Sequence, residues 1–272
     1  MENFEWAGRV GDVWAEEWRR TDRSLEPVGT ALSAAAVQAL EPHATPRILD
    51  IGCGAGATSL SLATHLPHGR VVGIDLSQPL LDIARSRAVN LANCKFEEGD
   101  ASTWSSEGGF DLLLSRHGVM FFDDPVAAFT HLRSLTSQGG RLIFSCFRSA
   151  ALNPWASRLQ HLLPVGPSGP HAPGPFAFAD ESHVADILAR AGWRGAVATP
   201  IDFDYVAGRG DDPVADAIDF FSRIGPAARA LRDLDEAGRR NLADALADLV
   251  RDHLNGDRVI FPAAAWLWSA HA

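Results

Sequence analysis

Four acidic or polar points carry the chemistry open to this chain, and each ends or follows a short apolar run. Asp50 leads into alternating glycines, Gly52-Cys53-Gly54-Ala55-Gly56. Asp75 closes Arg70-Val71-Val72-Gly73-Ile74-Asp75, Asp100 stands in Gly99-Asp100-Ala101, and Ser115-Arg116-His117 follows Phe110-Asp111-Leu112-Leu113-Leu114. An aspartate ending a strand can accept both hydroxyls of a ribose, and one after the next strand can accept from an adenine amino group. Leu76 and Leu80 supply apolar neighbours to sandwich a base. Alternate glycines permit a tight turn, positive φ and close approach of a ligand to the backbone.

Those points must be held at the ends of strands. Ile48–Ile51 reads as a buried strand, and Leu60, Ala63 and Leu66 at roughly helical spacing start a helix after Gly56. Further strands are expected at 70–75, 94–98, 110–115 and 141–147, with helices at 79–88 and from Asp124-Pro125 between them and a turn at Gly139-Gly140. Five strands alternating with helices imply a parallel sheet covered on both faces, with ligands in the crevice beyond the carboxyl ends of the strands. A sixth strand, 196–206, alternates Ile201, Phe203 and Tyr205 with Asp202 and Asp204, and Pro200 places it at a sheet edge. A seventh is expected at 263–270, after Pro262.

Outside that core, an arm over residues 1–45 carries Trp6, Trp14 and Trp18, a helix near 12–20 and a second helix ending before Pro42. Trp14 and Trp18 share a helix face, and the arm either covers a ligand or only packs on the domain. Residues 152–178 hold Pro154, Pro164, Pro167, Pro170, Pro173 and Pro175 and read as a surface lid or substrate loop. Residues 211–254 are helical, with Leu242, Ala245, Leu246, Leu249 and Val250 on one stripe.

Four segments, Leu49–Gly56, Val72–Ser77, Glu98–Ala101 and Phe110–Ser115, resemble the class I S-adenosylmethionine-dependent methyltransferase family in order and spacing. The resemblance covers residues 45–150 firmly and the later strands more loosely. It implies an α/β, Rossmann-like, seven-stranded mixed sheet: strands one to five parallel, strand seven antiparallel between five and six, helices on both faces, and a helical and loop cap. It also implies that the loop of Asp50, Gly52, Cys53, Gly54 and Gly56 holds the methionine part of S-adenosyl-L-methionine. By the same resemblance Asp75 binds the ribose, Asp100 and the Ala101 backbone bind adenine, and Ser115 lies near the methionine end. Residues 1–45 then form an arm and 46–272 one domain with cap insertions at 152–178 and 207–257.

The reaction implied is in-line methyl transfer to an oxygen, nitrogen or carbon nucleophile of a small molecule, leaving S-adenosyl-L-homocysteine. Here the protein mainly positions reactants and excludes water. His117 is the candidate base, against a local hydrogen-bonding role. Trp155, Phe176, Phe178 and Tyr205 are candidates for the acceptor pocket, against core packing. Arg116 either attracts an anionic substrate or pairs with Asp123 or Asp124. An NAD-type oxidoreductase is the nearest rival: Gly52, Gly54 and Ala57 fit its glycine fingerprint, but Gly99-Asp100-Ala101 has no place in it. A non-catalytic cofactor-binding scaffold is the other.

Length and composition narrow the rest. The 272 residues and 46% apolar content suit one α/β domain with insertions. A formal net charge of −10 argues against a broad nucleic-acid footprint. Cys53, Cys94 and Cys146 have no CxxC spacing, and the ten histidines show no HxxxH or HExxH pattern, so neither a disulfide framework nor a metal site is expected. With no signal-peptide core at the acidic start and no membrane-length apolar run, a cytoplasmic monomer or homodimer is the expectation.

Overall fold

The computed structural model describes residues 7–41, 44–159, 169 and 171–272. Trp6, Pro42, Pro164, Pro167 and Pro170, singled out above, lie outside the described residues. The helices are α1 (Arg9–Glu16), α2 (Trp18–Ser24), α3 (Glu26–Leu40), α4 (Ala57–His65), α5 (Gln78–Arg87), α6 (Pro125–Ser134), α7 (Glu181–Arg190), α8 (Pro213–Arg223), α9 (Pro226–Asp233) and α10 (Glu236–Asp252). The long strands are β1 (Arg47–Ile51), β2 (Arg70–Asp75), β3 (Cys94–Glu98), β4 (Phe110–Arg116), β5 (Thr136–Phe147), β6 (Arg194–Arg209) and β7 (Arg258–His271). Leu254–Asn255 adds a two-residue ladder to the front of β7.

The strands lie side by side in the order β3-β2-β1-β4-β5-β7-β6. The first five run parallel, and β7 runs antiparallel between β5 and β6. This is the mixed sheet the sequence implies, with the Pro200-bearing strand at its edge. The central strands are buried on both faces: Ile48, Leu49, Leu112, Leu113 and Leu114 have no exposed surface. Continuous apolar strands are what a helix-covered parallel sheet requires. Under the cap side, Phe144 stacks on Trp268 with centroids 6.2 Å apart, and Phe129 packs against both Phe144 and Phe178. Each such buried ring contributes roughly 1.5–3 kcal/mol.

Four boundaries differ from the sequence reading. Two helices, α1 and α2, broken at Glu17, stand in place of the one expected over 12–20. Gly139-Gly140 does not precede β5 as a turn but sits inside it, where the register with β4 shifts and Gly139 takes φ 78°. Pro262 lies within β7, paired with Asp204. It is tolerated because β5 pairs with β7 only from Ala265 onward, so one flank of the strand is open at Pro262. The stretch 211–254 is three helices. Gly225 at φ 93° ahead of Pro226 makes one break, and the Asp235 side chain, accepting from Gly238 N, starts the third helix.

The proline-rich insertion is anchored where it leaves the sheet. Asn153 is wholly buried; its amide donates to the carbonyls of Arg148, Ser149 and Ala264, and its oxygen accepts from Ala264 N. One helical turn, Pro154–Ser157, follows and buries Trp155.

At the other end of the core, Gly56 begins α4 with φ 82°, and a Cβ there would lie 2.8 Å from the Phe96 ring and 3.0 Å from Ala84 Cβ. The left-handed backbone and overpacking act together, so Gly56→Ala is expected to lower the unfolding free energy by about 2–4 kcal/mol. Urea titration of the two proteins measures it.

Candidate active site

The carboxyl ends of β1, β2 and β4 and the loop after β3 meet at one cavity of about 210 Å³. The glycine turn after β1 folds back onto β2. Gly52, Gly54 and Gly56 all have positive φ; Cys53 N donates to Ile74 O, and Gly54 N donates to Asp75 Oδ2 at 2.8 Å. The other Asp75 oxygen accepts from Ser77 N at 2.9 Å. Each carboxylate oxygen thus keeps acceptor capacity for a further hydroxyl. A Cβ built on Gly54 would meet nothing within 4 Å, so the backbone there is open to a ligand.

Asp50, Gly52, Cys53, Gly54, Asp75, Leu76, Leu80, Asp100, Ala101 and His117 all line the cavity. Two expected residues are not among its lining. Gly56 lies behind the turn as the first residue of α4's cap. Ser115 is buried below the floor, where its hydroxyl donates to Ile51 O at 2.8 Å and accepts from Gly118 N at 3.1 Å. It ties the end of β1 to the turn after β4.

That turn carries His117, the only non-glycine residue with positive φ (61°) among the described residues. The conformation is sparsely populated, and such strain collects at sites that need a particular side-chain direction. It brings His117 Nδ1 within 2.9 Å of Ser145 Oγ on β5 and the ring edge-on to Phe147, centroids 4.3 Å apart. Nε2 is buried with no hydrogen-bond partner among the described residues. Burial, helped by the neighbouring Arg116 charge, lowers the imidazole pKa to about 3, so the ring is neutral at neutral pH. Burial raises Asp50 in the opposite direction, to about 6, against the pull of the Ser59 hydroxyl at 2.5 Å and of Arg116.

Arg116 pairs with neither Asp123 nor Asp124. Its partner is Asp22 of the arm, at 2.7 Å, and Arg87 takes the other Asp22 oxygen at 2.9 Å. Asp124 instead caps α6. Arg87 also lies 4.2 Å over the Trp18 ring, so Trp14, Trp18, Thr21, Asp22 and Leu25 wall the cavity from the arm. The arm is joined in turn to α8: Arg20 reaches Asp216 and Asp219, Arg23 reaches Asp216, and Arg223 pairs with Glu16 and Glu17.

The far wall is aromatic. Trp155 and Tyr205 line it, as anticipated from sequence; Phe178 is core, and Phe176 packs on Trp155 and Phe147 without lining the cavity. Met120, Phe121, Phe122, Phe147, Phe220, Phe221 and Ile224 also line it and went unnoticed in the sequence. The available signal was the helical spacing of Ala217, Phe220, Phe221 and Ile224 after the Asp212-Pro213 start. Among the described residues no group of three His, Cys, Asp or Glu side chains is placed to hold a metal, and no helix is long and apolar enough to cross a membrane.

Comparison with known proteins agrees with this layout. A family model described as a methyltransferase domain matches residues 48–140. A demethylmenaquinone methyltransferase of Deinococcus radiodurans is 30% identical over 176 residues, 59% of this chain and 73% of that protein. The chain belongs to the class I S-adenosylmethionine-dependent methyltransferase family. A trans-aconitate 2-methyltransferase of Methylobacterium radiotolerans is 29% identical over 240 residues, covering 77% of the methyltransferase described here and 88% of its relative. With three other curated relatives the similarity spans only 37%, 39% and 41% of their own lengths. In fold, the methyltransferase matches phosphoethanolamine N-methyltransferase 2 of Haemonchus contortus, solved with S-adenosyl-L-methionine, with TM-score 0.59 and 16% identity, over all of this chain and 60% of that one. This membership sets aside the dehydrogenase reading of the glycine turn.

The two shifted groups act on stability with opposite signs. His117 binds a proton in the unfolded chain below its ordinary value of 6.5 but not in the fold until about pH 3, so its contribution is complete above 6.5 and is lost as pH falls. Asp50 holds its proton in the fold up to about pH 6 and releases it near 3.8 when unfolded, so its contribution is lost as pH rises through 6. At pH 8, Asp50→Asn is expected to be more stable relative to wild type than at pH 4, by about 2 kcal/mol, part of the effect of the shift being already gone at pH 4. His117→Gln should change in the reverse sense. Denaturant titrations across pH 4–8 check both.

Proposed function

We propose that this methyltransferase moves the methyl group of S-adenosyl-L-methionine to an oxygen, nitrogen or carbon nucleophile of a small molecule held under the cap, leaving S-adenosyl-L-homocysteine. One observation carries the reading: a single cavity has the glycine turn and three strand-end aspartates on one side and the aromatic cap on the other. The names of two relatives, a demethylmenaquinone and a trans-aconitate methyltransferase, support a small acceptor. We assign residues 1–45 as an arm and 46–272 as one domain with cap insertions at 152–178 and 207–257. The three cysteines are buried free thiols, in keeping with a cytoplasmic protein.

The residues fit the cofactor. Asp75 offers its two remaining acceptor sites to the ribose hydroxyls, and Asp100 with the Ala101 backbone faces the base, flanked by Leu76 and Leu80. Asp50 and the backbone of Gly52, Cys53 and Gly54 line the methionine end, with Gly54 open to it. When bound, the cofactor supplies a methyl group already activated on a sulfonium. The chain therefore has mainly to orient the nucleophile and keep water out. The arm, held by Asp22 between Arg87 and Arg116, and the aromatic wall perform the second task.

His117 performs the first. In the tautomer whose Nδ1–H donates to Ser145 Oγ, the Nε2 lone pair is free for an acceptor proton. Its low basicity suits it to orient a hydroxyl or amine by hydrogen bonding, and to take the proton only as bond formation makes that group acidic.

Calorimetric titration is expected to show S-adenosyl-L-methionine and S-adenosyl-L-homocysteine binding, no NAD binding, and at least tenfold weaker binding by Asp75→Ala, the two lost hydroxyl bonds being worth about 1.4 kcal/mol or more. NAD binding without the other two would reverse the assignment. With an accepted substrate, His117→Ala is expected to lower kcat by about 10²-fold or more while leaving cofactor affinity within a few fold. Unchanged kcat would remove His117 from the mechanism.

A further inference from the structure

We infer that the acceptor is a neutral, planar aromatic compound bearing a hydroxyl group, seated against the ring ladder Trp155–Tyr205–Phe221. The inference rests on the methyltransferase reading and names the substrate class of the same site.

Charge is the first observation. The charged residues lining the cavity are Asp22, Asp50, Asp75, Asp100 and Arg116, all from the arm or the ends of the first four strands. From Gly118 onward no lining residue is charged. The one cation among them, Arg116, is held by Asp22. An anionic acceptor would leave water and find no unpaired cation in the lining, a heavy desolvation cost. A cationic one would gain no carboxylate from the cap side.

Shape is the second. The Trp155 and Tyr205 rings are 5.3 Å apart and inclined by 13°, and Tyr205 and Phe221 are 6.3 Å apart and inclined by 8°. Three nearly parallel stacked rings, each bordering the cavity, make an aromatic wall that favours an aromatic ligand through stacking or edge-to-face contact.

Unmet hydrogen bonding is the third. Trp155 Nε1 is a buried donor with no partner among the described residues, and His117 Nε2 is in the same condition. Phe147 packs on both side chains, with centroids 4.3 Å from His117 and 5.2 Å from Trp155, so the two rings that carry the unmet atoms flank one residue of the cavity wall. Buried polar groups are satisfied in nearly all folded proteins, so a missing partner at a ligand cavity points to an atom the ligand brings. A hydroxyl oxygen both accepts from the indole N–H and donates to the imidazole, which a hydrocarbon cannot do.

The test uses protein saturated with S-adenosyl-L-homocysteine and three probes sharing one ring system: 2-naphthol, naphthalene and naphthalene-2-sulfonate. Calorimetry or tryptophan fluorescence reads the affinities. Expected are 2-naphthol binding at least tenfold tighter than either of the others, and loss of most of its advantage over naphthalene in Trp155→Phe, which keeps a ring but removes the donor. Equal or tighter binding of the sulfonate, or no 2-naphthol binding at its solubility limit, overturns the inference; this wild-type comparison stands whatever the variant does. An undiminished advantage in a folded Trp155→Phe also overturns it. S-adenosyl-L-homocysteine titration of the wild type is the separate readout for the cofactor site: if it fails while the naphthol preference holds on the free protein, the methyltransferase assignment falls and the ligand class remains.

Discussion

The Asp75 carboxylate is the constraint on which the site depends. It sits at the end of β2, accepts from Gly54 on one oxygen and Ser77 on the other, and so fixes the glycine turn of β1 and the entry to α5 with one side chain. Burial pushes its pKa upward, and the backbone N–H groups of Ser77, Gly54 and Leu76 pull it back toward the charged form. The charge that organises the turn is thus held in place by the backbone it organises. Displacing it would free Gly54 and move the turn that carries Gly52 and Cys53.

Around that centre the cavity divides by physics. Its floor is backbone and carboxylate, fixed by a sheet whose strands are buried on both faces. Its cap wall is ring surface, brought from β5, β6, the turn at 154–157 and α8. The floor is polar and directional, the wall apolar and set by shape. Specificity of binding on such a wall comes from volume, planarity and the few polar atoms left unmet.

The two halves were unequally legible in the sequence. Asp50, Asp75 and Asp100 each follow an apolar strand pattern, and the glycines mark their turn locally, so short-range patterns suffice to place them. The order and direction of the last strands came from resemblance, with Pro200 as an independent local sign. The aromatic wall was only half legible. Trp155 and Tyr205 stood out as aromatic, whereas Phe220 and Phe221 were folded into a long helical stretch and Phe147 into a strand. Whether such a ring faces a core or a cavity depends on packing between separate elements, which no periodicity records. The pairing of Asp22 with Arg116 is of the same kind, since charge complementarity across 94 positions leaves no local trace. The hydrogen bonds of Ser115 to Ile51 and Gly118 were not legible, because position at a strand end does not fix which way a short hydroxyl bonds.

The arm's ion pairs have a consequence for its response to salt. Asp22 is clasped by Arg87 and Arg116, while Arg20, Arg23 and Arg223 tie the same arm to α8. Each of these contacts is individually weak and partly solvent-exposed. The arm is thus held beside the cavity by charge, in a molecule whose aromatic wall carries none, so dissolved salt weakens the hold of the arm while leaving the apolar packing of the wall unchanged.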